Sequence, residues 1–303
     1  MSETMIDVPA AFAASTVARE GASGEAWLRA LPGVVAELCV RWGLALAGSP
    51  WHGYLAVVVP VVRNGVDLAL KVSWIDQSSE HEPNALRAWD GCGAVRMLEW
   101  DEQSGAMLLE RLDASRSLGA LQHREAAEIA GGLLRRLAIP APPELRTIRD
   151  EMEHFVARAE SQWAKLDRPF SRRLLDRVID ITRPATDSSR NGTIVNVDLH
   201  YGNVLAAERE SWLVIDPKVV AGEAEFGVAQ MLWTRFEELE GRSGLEDRLD
   251  IIVDAAELDR QLARQWTVVR VVDYWLWALA GGLTEDPRKC QALIDWLAPK
   301  FAG

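Results

Sequence analysis

The spacing of apolar residues changes once along this chain, and the change divides it. Tyr54-Leu-Ala-Val-Val-Val-Pro-Val-Val and Val66-Asp-Leu-Ala-Leu-Lys71-Val are strand-like runs. Arg63-Asn64-Gly65 lies between them, and an Asn-Gly pair between apolar runs is a strong hairpin signal because both residues accept a left-handed backbone. Ala94-Val-Arg-Met-Leu-Glu-Trp100 and Ala106-Met-Leu-Leu-Glu110-Arg-Leu112 add two short strand-like runs, with a helical segment near 79–89 ahead of them. Residues roughly 24–44 have helical spacing with a break expected at Pro32-Gly33. After about Leu112 the pattern becomes that of long amphipathic helices, with candidates at 122–138, 145–166, 170–183, 226–241, 246–262, 263–281 and 287–299. One strand-like pair interrupts them, from Gly192-Thr-Ile-Val and Ser211-Trp-Leu-Val-Ile. Strands first and helices afterwards is an α+β arrangement. The expected division is a small antiparallel-sheet part at 1–112 and a mainly helical part at 113–303, with a cleft between them.

The 303 residues are 49% hydrophobic and 26% charged, which suits a globular chain with a full core and excludes a disordered one. A net charge of −12 argues against nucleic acid or an anionic membrane as the main partner. It favours a cationic substrate, although an acidic surface also serves solubility alone. No apolar stretch is long enough to span a bilayer, and the acidic start Met1-Ser-Glu-Thr-Met-Ile-Asp lacks the basic opening of a signal peptide. Cys39, Cys92 and Cys290 are scattered, with neither zinc spacing nor a disulfide framework. A reducing cytoplasm is the expected location.

Chemistry concentrates in Val195-Asn-Val-Asp198-Leu-His200-Tyr-Gly-Asn203-Val-Leu, followed by Leu213-Val-Ile-Asp216-Pro-Lys218. Asp198 can accept a hydrogen bond from a hydroxyl and aim it at a phosphate. Asn203 and Asp216 offer hard oxygen ligands to Mg2+, which neutralises phosphates as charge moves between them. The trio is what a metal-dependent phosphotransferase needs. Lys71, at the end of a strand, is positioned to hold nucleotide phosphates, with Glu82 on the following helix as its ion-pair partner; each also reads as an ordinary surface charge. Glu110 and Leu112 lie where the two parts join, and their backbone groups could bind an adenine edge, or the segment is simply a connecting strand. No glycine-rich phosphate loop or P-loop is present, and Ser49-Pro-Trp-His-Gly53-Tyr54 stands where such a cover would sit. His200 either contacts a phosphate or plays a structural role. Among the thirteen tryptophans, Trp266, Trp275 and Trp277 share one late helix, either as core or lining a substrate pocket. Glu223, Glu225, Glu237, Glu238 and Glu240 are a solvated face or, in part, ligands for a guanidinium or ammonium group.

These segments resemble the aminoglycoside and hydroxyurea antibiotic-resistance kinases, most closely the streptomycin 6-phosphotransferases. The resemblance runs through Ala26-Trp-Leu-Arg-Ala-Leu-Pro, Leu86-Arg-Ala-Trp-Asp-Gly, Met107-Leu-Leu-Glu-Arg-Leu-Asp and Ile139-Pro-Ala-Pro-Pro. It is strongest in Asp198-Leu-His-Tyr-Gly-Asn-Val-Leu-Ala-Ala-Glu-Arg-Glu and Trp212-Leu-Val-Ile-Asp-Pro-Lys. It implies a protein-kinase-like two-lobed fold: an N-terminal nucleotide-binding lobe, and a C-terminal lobe for catalysis and acceptor binding. It also implies transfer of the ATP γ-phosphate to an antibiotic hydroxyl with Mg2+. Asp198 matches the family's catalytic aspartate, Asn203 and Asp216 its metal ligands, and Lys71 and Glu82 its phosphate-binding lysine and helix partner. A cationic aminoglycoside such as streptomycin is the leading acceptor, with His200, Glu223, Glu225, Glu238 and Trp277 as candidate contacts. A catalytically weak nucleotide- or antibiotic-binding protein, or a kinase for hydroxyurea or a sugar, are the alternatives. Asn196 stands where the family usually has His, and Gly227 where it has an Asp expected to brace the catalytic loop. Asp273-Tyr274-Trp275 replaces smaller polar residues.

Overall fold

The computed structural model describes residues 6–187 and 192–298. The chain divides into two compact units, Met1–Asp113 and Ala114–Gly303. The first opens with α1 (Ala10–Trp42), which starts well ahead of the expected helix. Its break lies at Gly21, with φ 60° and ψ −136°, and not at Pro32-Gly33. Pro32 is carried inside the helix because the buried stripe Leu31, Val35 and Leu38 continues past it onto the sheet. Packing outweighs the one hydrogen bond that the ring removes.

β1 (Ala45–Leu46), β2 (Trp51–His52), β3 (Ala56–Arg63), β4 (Val66–Ser73), α2 (Glu82–Trp89), β5 (Met97–Asp101) and β6 (Ala106–Glu110) follow. The strands form one antiparallel sheet in the order β1-β3-β4-β6-β5, with β2 also on β3. Asn64 and Gly65, at φ 54° and 80°, join Arg63 to its partner Val66 in the two-residue hairpin that the sequence signals. Alternation then sorts the two faces. Val57, Val59, Val61, Leu68, Leu70 and Val72 bury against Phe12, Leu31, Val35 and Leu38 of α1. Ala69 and Lys71 therefore lie on the opposite face, with Lys71 in register between Val58 and Met107.

In the second unit come β7 (Asp113–Ser117, which starts one residue before it), α3 (His123–Leu137), α4 (Ile148–Lys165) and α5 (Arg172–Asp187), then β8 (Thr193–Asn196), β9 (Val204–Ala206), β10 (Trp212–Val214) and β11 (Val219–Gly222). α6 (Ala229–Trp233), α7 (Gly241–Ala256), α8 (Arg260–Ala280) and α9 (Glu285–Leu297) complete it. The single strand pair expected here is two: β8 pairs with β11 and β9 with β10, while β7 joins β9. Among the described residues no helix is long and apolar enough to cross a membrane.

The expected helix at 226–241 is broken into short turns around α6. Thr234 is extended and Arg235 is left-handed at φ 57°. Arg248 of α7, almost wholly buried, donates to the carbonyls of Leu232, Thr234 and Arg235 at 3.4, 2.8 and 3.3 Å, so the helix end is satisfied by a side chain instead of another turn. The boundary expected at 262/263 falls earlier, because Glu257 is left-handed at φ 54° and Asp259 caps α8 through the Leu262 N–H at 2.7 Å. Replacing Arg248 by Met is expected to lower the unfolding free energy by about 2–3 kcal/mol in urea titrations, since it strips charge-assisted bonds from buried carbonyls.

Candidate active site

β8 delivers Asn196 into the interior, where it is 1% exposed, opposite Val219 of β11. The chain then turns: the Val197 N–H donates to the Lys218 carbonyl at 2.8 Å, and the Asp198 N–H donates to Asn196 Oδ1 at 3.0 Å. Leu199 and Tyr201 plunge into the core, and the Tyr201 hydroxyl donates to the Met231 carbonyl at 3.1 Å. Burial pushes that phenol up to about 12, so it stays a donor. Anchored on both sides, Asp198 presents a carboxylate that is gripped at each oxygen. Gln230 Nε2 donates to Oδ1 at 3.0 Å, and Lys218 Nζ lies 2.9 Å from Oδ2.

His200 Nδ1 accepts from the Gly202 N–H at 3.1 Å. Burial holds the imidazole below its ordinary value, so it is neutral at physiological pH, with the proton on Nε2. The Asn203 carbonyl accepts from the Ile215 N–H at 2.9 Å, which brings Asp216 beside Asn203 at the end of β10. Asp216 is left-handed at φ 50°, a conformation that Asp tolerates better than most residues. Asn203 Nδ2 donates to the Asp198 carbonyl at 3.3 Å, leaving its side-chain oxygen as the outward acceptor. One amide oxygen and one carboxylate fit Mg2+, which takes its remaining ligands from phosphates and water. Among the described residues no cluster of three or more His, Cys, Asp or Glu forms an all-protein metal cage.

In the first unit, Lys71 Nζ binds Glu82 Oε1 and Oε2 at 2.7 and 2.6 Å, and both residues are buried. The Ser49–Tyr54 segment forms the β2–β3 hairpin, closed by the Gly53 N–H donating to the Ala56 carbonyl at 2.9 Å. The Arg19 guanidinium stacks over the Tyr54 ring at 4.5 Å and donates to its carbonyl at 3.2 Å. Glu110 ends β6 and accepts from the Arg96 N–H at 2.6 Å, and the chain runs on through Leu112 outside any strand.

The candidate acceptor contacts are dispersed. Glu223 accepts from the Trp266 indole at 2.9 Å, Glu225 accepts from the Asp259 N–H at 3.1 Å, and Glu238 pairs with Arg235 at 2.6 Å. Each carboxylate has its own internal partner. Trp277 is 56% exposed at the end of a stacked ladder, in which Tyr274 lies 5.5 Å from it and 5.6 Å from Trp233. Trp266 and Trp275 are core residues.

Sequence reasoning passed over Lys218 and Gln230. Lys218 sits in the quoted Asp-Pro-Lys run, and a basic residue two positions after a candidate metal ligand was the available signal. Gln230 carries none, since only the fold brings it to Asp198. In the buried Lys71–Glu82 pair, removing one partner strands the other. Lys71→Met is expected to destabilise the protein by about 3–5 kcal/mol in urea unfolding, and the double change Lys71→Met/Glu82→Leu to recover most of that loss.

Residues 41–282 match the family model described as aminoglycoside/hydroxyurea antibiotic resistance kinase. A hydroxyurea phosphotransferase of Kitasatospora aureofaciens is 40% identical, over 97% of this chain and 86% of its own. A streptomycin 6-kinase of Streptomyces griseus is 37% identical, over 98% of this chain and 99% of its own. In fold, the chain is similar to a crystal structure of a thermostable aminoglycoside phosphotransferase mutant in ternary complex with ADP and hygromycin B. The TM-score is 0.60 at 14% identity, covering 88% of this chain and 98% of that one, so the α+β architecture is of the protein-kinase-like, two-lobed kind.

Proposed function

The chain belongs to the aminoglycoside/hydroxyurea antibiotic resistance kinase family, and from that premise we propose that it inactivates an aminoglycoside by transferring the ATP γ-phosphate to one of its hydroxyls, with streptomycin as the acceptor. The observation that carries the reading is the Asp198 carboxylate, held at one oxygen by Gln230 and at the other by Lys218, in a loop that also carries Asn203 and is hydrogen-bonded to the segment bearing Asp216.

The acceptor hydroxyl donates to Asp198, which orients it and takes its proton as the new P–O bond forms. Lys218, paired with that carboxylate, supplies positive charge where the transferring phosphoryl develops negative charge. Lys71, its ammonium fixed by two bonds to Glu82, holds the nucleotide phosphates. Asn203 and Asp216 would hold Mg2+, whose contribution is to neutralise phosphate oxygens. The backbone at Glu110–Leu112 is assigned to the adenine edge, and the β2–β3 hairpin to covering the phosphates. His200, neutral and bonded within its loop, shapes that loop. Phosphoryl transfer asks for little covalent chemistry from the protein, so fixed positions and fixed charges carry the rate.

A net charge of −12 and the Trp233–Tyr274–Trp277 ladder support a cationic, ring-bearing acceptor. Phosphorylation adds negative charge to a drug whose target is RNA, which opposes binding. A proposed need for ATP, together with scattered cysteines that form no disulfide framework, supports a cytoplasmic location. Hydroxyurea is the second acceptor reading, favoured by the 40% identity to the Kitasatospora enzyme.

Purified protein with ATP, Mg2+ and streptomycin is expected to add one phosphate to the antibiotic, read by mass spectrometry. Asp198→Ala is expected to lower kcat by about 10²–10⁴-fold, with ATP affinity within about twofold of wild type. Phosphorylated hydroxyurea with untouched streptomycin would install the second reading in place of the first. Wild-type turnover in Asp198→Ala would remove Asp198 from the mechanism.

A further inference from the structure

Arg270 of α8 donates from Nη2 to the Val197 carbonyl at 2.8 Å and from Nη1 to the Phe226 carbonyl at 3.3 Å. Its guanidinium carbon also lies 5.1 Å from the Phe226 ring centre and 5.4 Å from that of Trp233. Val197 immediately precedes Asp198. Phe226 opens the segment that runs into α6, where Gln230 grips Asp198 Oδ1. One planar cation thus ties together the two segments that fix Asp198, one through its backbone and the other through its side chain. Lysine has no second donor fork with which to bridge two carbonyls in this way.

The neighbouring position explains why the tie comes from a distant helix. Gly227 packs directly on β8: a Cβ there would lie 3.0 Å from the Asn196 carbonyl oxygen, 3.0 Å from Leu134 Cδ1 and 3.2 Å from Val195 Cγ1. A side chain at 227 would be tight against all three, and glycine itself offers no side chain with which to brace the loop from within its own segment. The guanidinium stays charged, since burial lowers it only to about 10. The carboxylates that face it are Asp198, Asp273 and Glu151, and Asp273 is itself engaged by Arg158 at 2.6 Å.

We propose that Arg270 is the positioning residue of the catalytic loop: its two-carbonyl bridge sets the place of Asp198 and thereby the rate of phosphoryl transfer, supplying from α8 the brace that Gly227 cannot provide. The proposal rests on the phosphotransferase reading. It concerns kcat and not nucleotide binding, because the carbonyls to which Arg270 donates belong to the loop that carries Asp198 and the segment that supports it.

The test is steady-state kinetics of the full chain with ATP, Mg2+ and the acceptor that the wild type phosphorylates, alongside the stoichiometry of ADP binding. Arg270→Met is expected to lower kcat by about 10–100-fold, with KM for ATP and ADP stoichiometry unchanged, and Arg270→Lys is expected to fall between Met and wild type. A purely scaffolding role would lower ADP stoichiometry and kcat together and leave the kcat of the remaining folded enzyme unaltered. Wild-type kcat per nucleotide site in Arg270→Met overturns the brace. If Arg270→Met does not fold, Arg270→Lys decides: an unchanged kcat overturns the proposal, and a tenfold loss at constant KM for ATP supports it. A wild-type protein that phosphorylates no acceptor overturns the functional reading itself, whereas an active wild type with an equally active Arg270 variant overturns only the brace.

Discussion

The grip on the Asp198 carboxylate is the interaction on which the phosphotransfer we propose for the second unit depends. A carboxylate at the end of a loop has rotamers to explore, and in the proposed reaction each one away from the acceptor hydroxyl would cost rate. Here the freedom is removed twice. Asn196 holds the backbone by accepting the Asp198 N–H, and Gln230 with Lys218 holds the two carboxylate oxygens. Those donors come from strictly different places, α6 and the turn before β11, so the fold must be complete before the carboxylate is fixed. Arg248 and Tyr201 belong to the same scheme, because both bind carbonyls at the C-terminal side of α6 and keep Gln230 in place. Asn196 carries a cost: its Nδ2 is buried with no hydrogen-bond partner, a local price in stability for a fixed Asp198 N–H.

The first unit solves a parallel problem by burial. An unpaired lysine ammonium on an inner sheet face would lose its charge or turn to solvent. Glu82, brought by α2, makes two short bonds to Lys71 and holds the ammonium stationary. Such a pair adds little to stability in itself, so its value lies in fixing where a positive charge stands. The α1 helix contributes from the other face of the sheet, and through Arg19 it also steadies the tip of the β2–β3 hairpin at Tyr54. That contact gives a hairpin without glycine-rich sequence a defined position.

What could be read from the sequence was what local physics decides. The Asn64-Gly65 turn, the alternation in β3 and β4, and the start of α4, where Thr147 and Asp150 close a capping box, each follow from neighbours in the chain. The spacing from Asp198 to Asn203 is also local, since one turn and the β9–β10 hairpin bring Asn203 and Asp216 together. The misread stretches are those where a distant side chain decides. Arg248 ends α6, the core stripe of α1 overrides Pro32, and β8 and β10 each find a partner that periodicity cannot name. Gln230 and Arg270 went unread for the same reason: they meet the Asp198 loop only once segments far apart in sequence are folded together.

In the proposed reaction the fixed placement of Asp198, and not merely its presence, sets the rate. Gln230→Leu tests this most directly, because it removes one hydrogen bond to the carboxylate and changes little volume. The measurement is kcat for phosphoryl transfer beside KM for ATP. Gln230→Leu is expected to lower kcat by about tenfold or more at an unchanged KM for ATP, the loss expected for one hydrogen bond to a charged group. A Gln230→Leu enzyme turning over at the wild-type rate would contradict it.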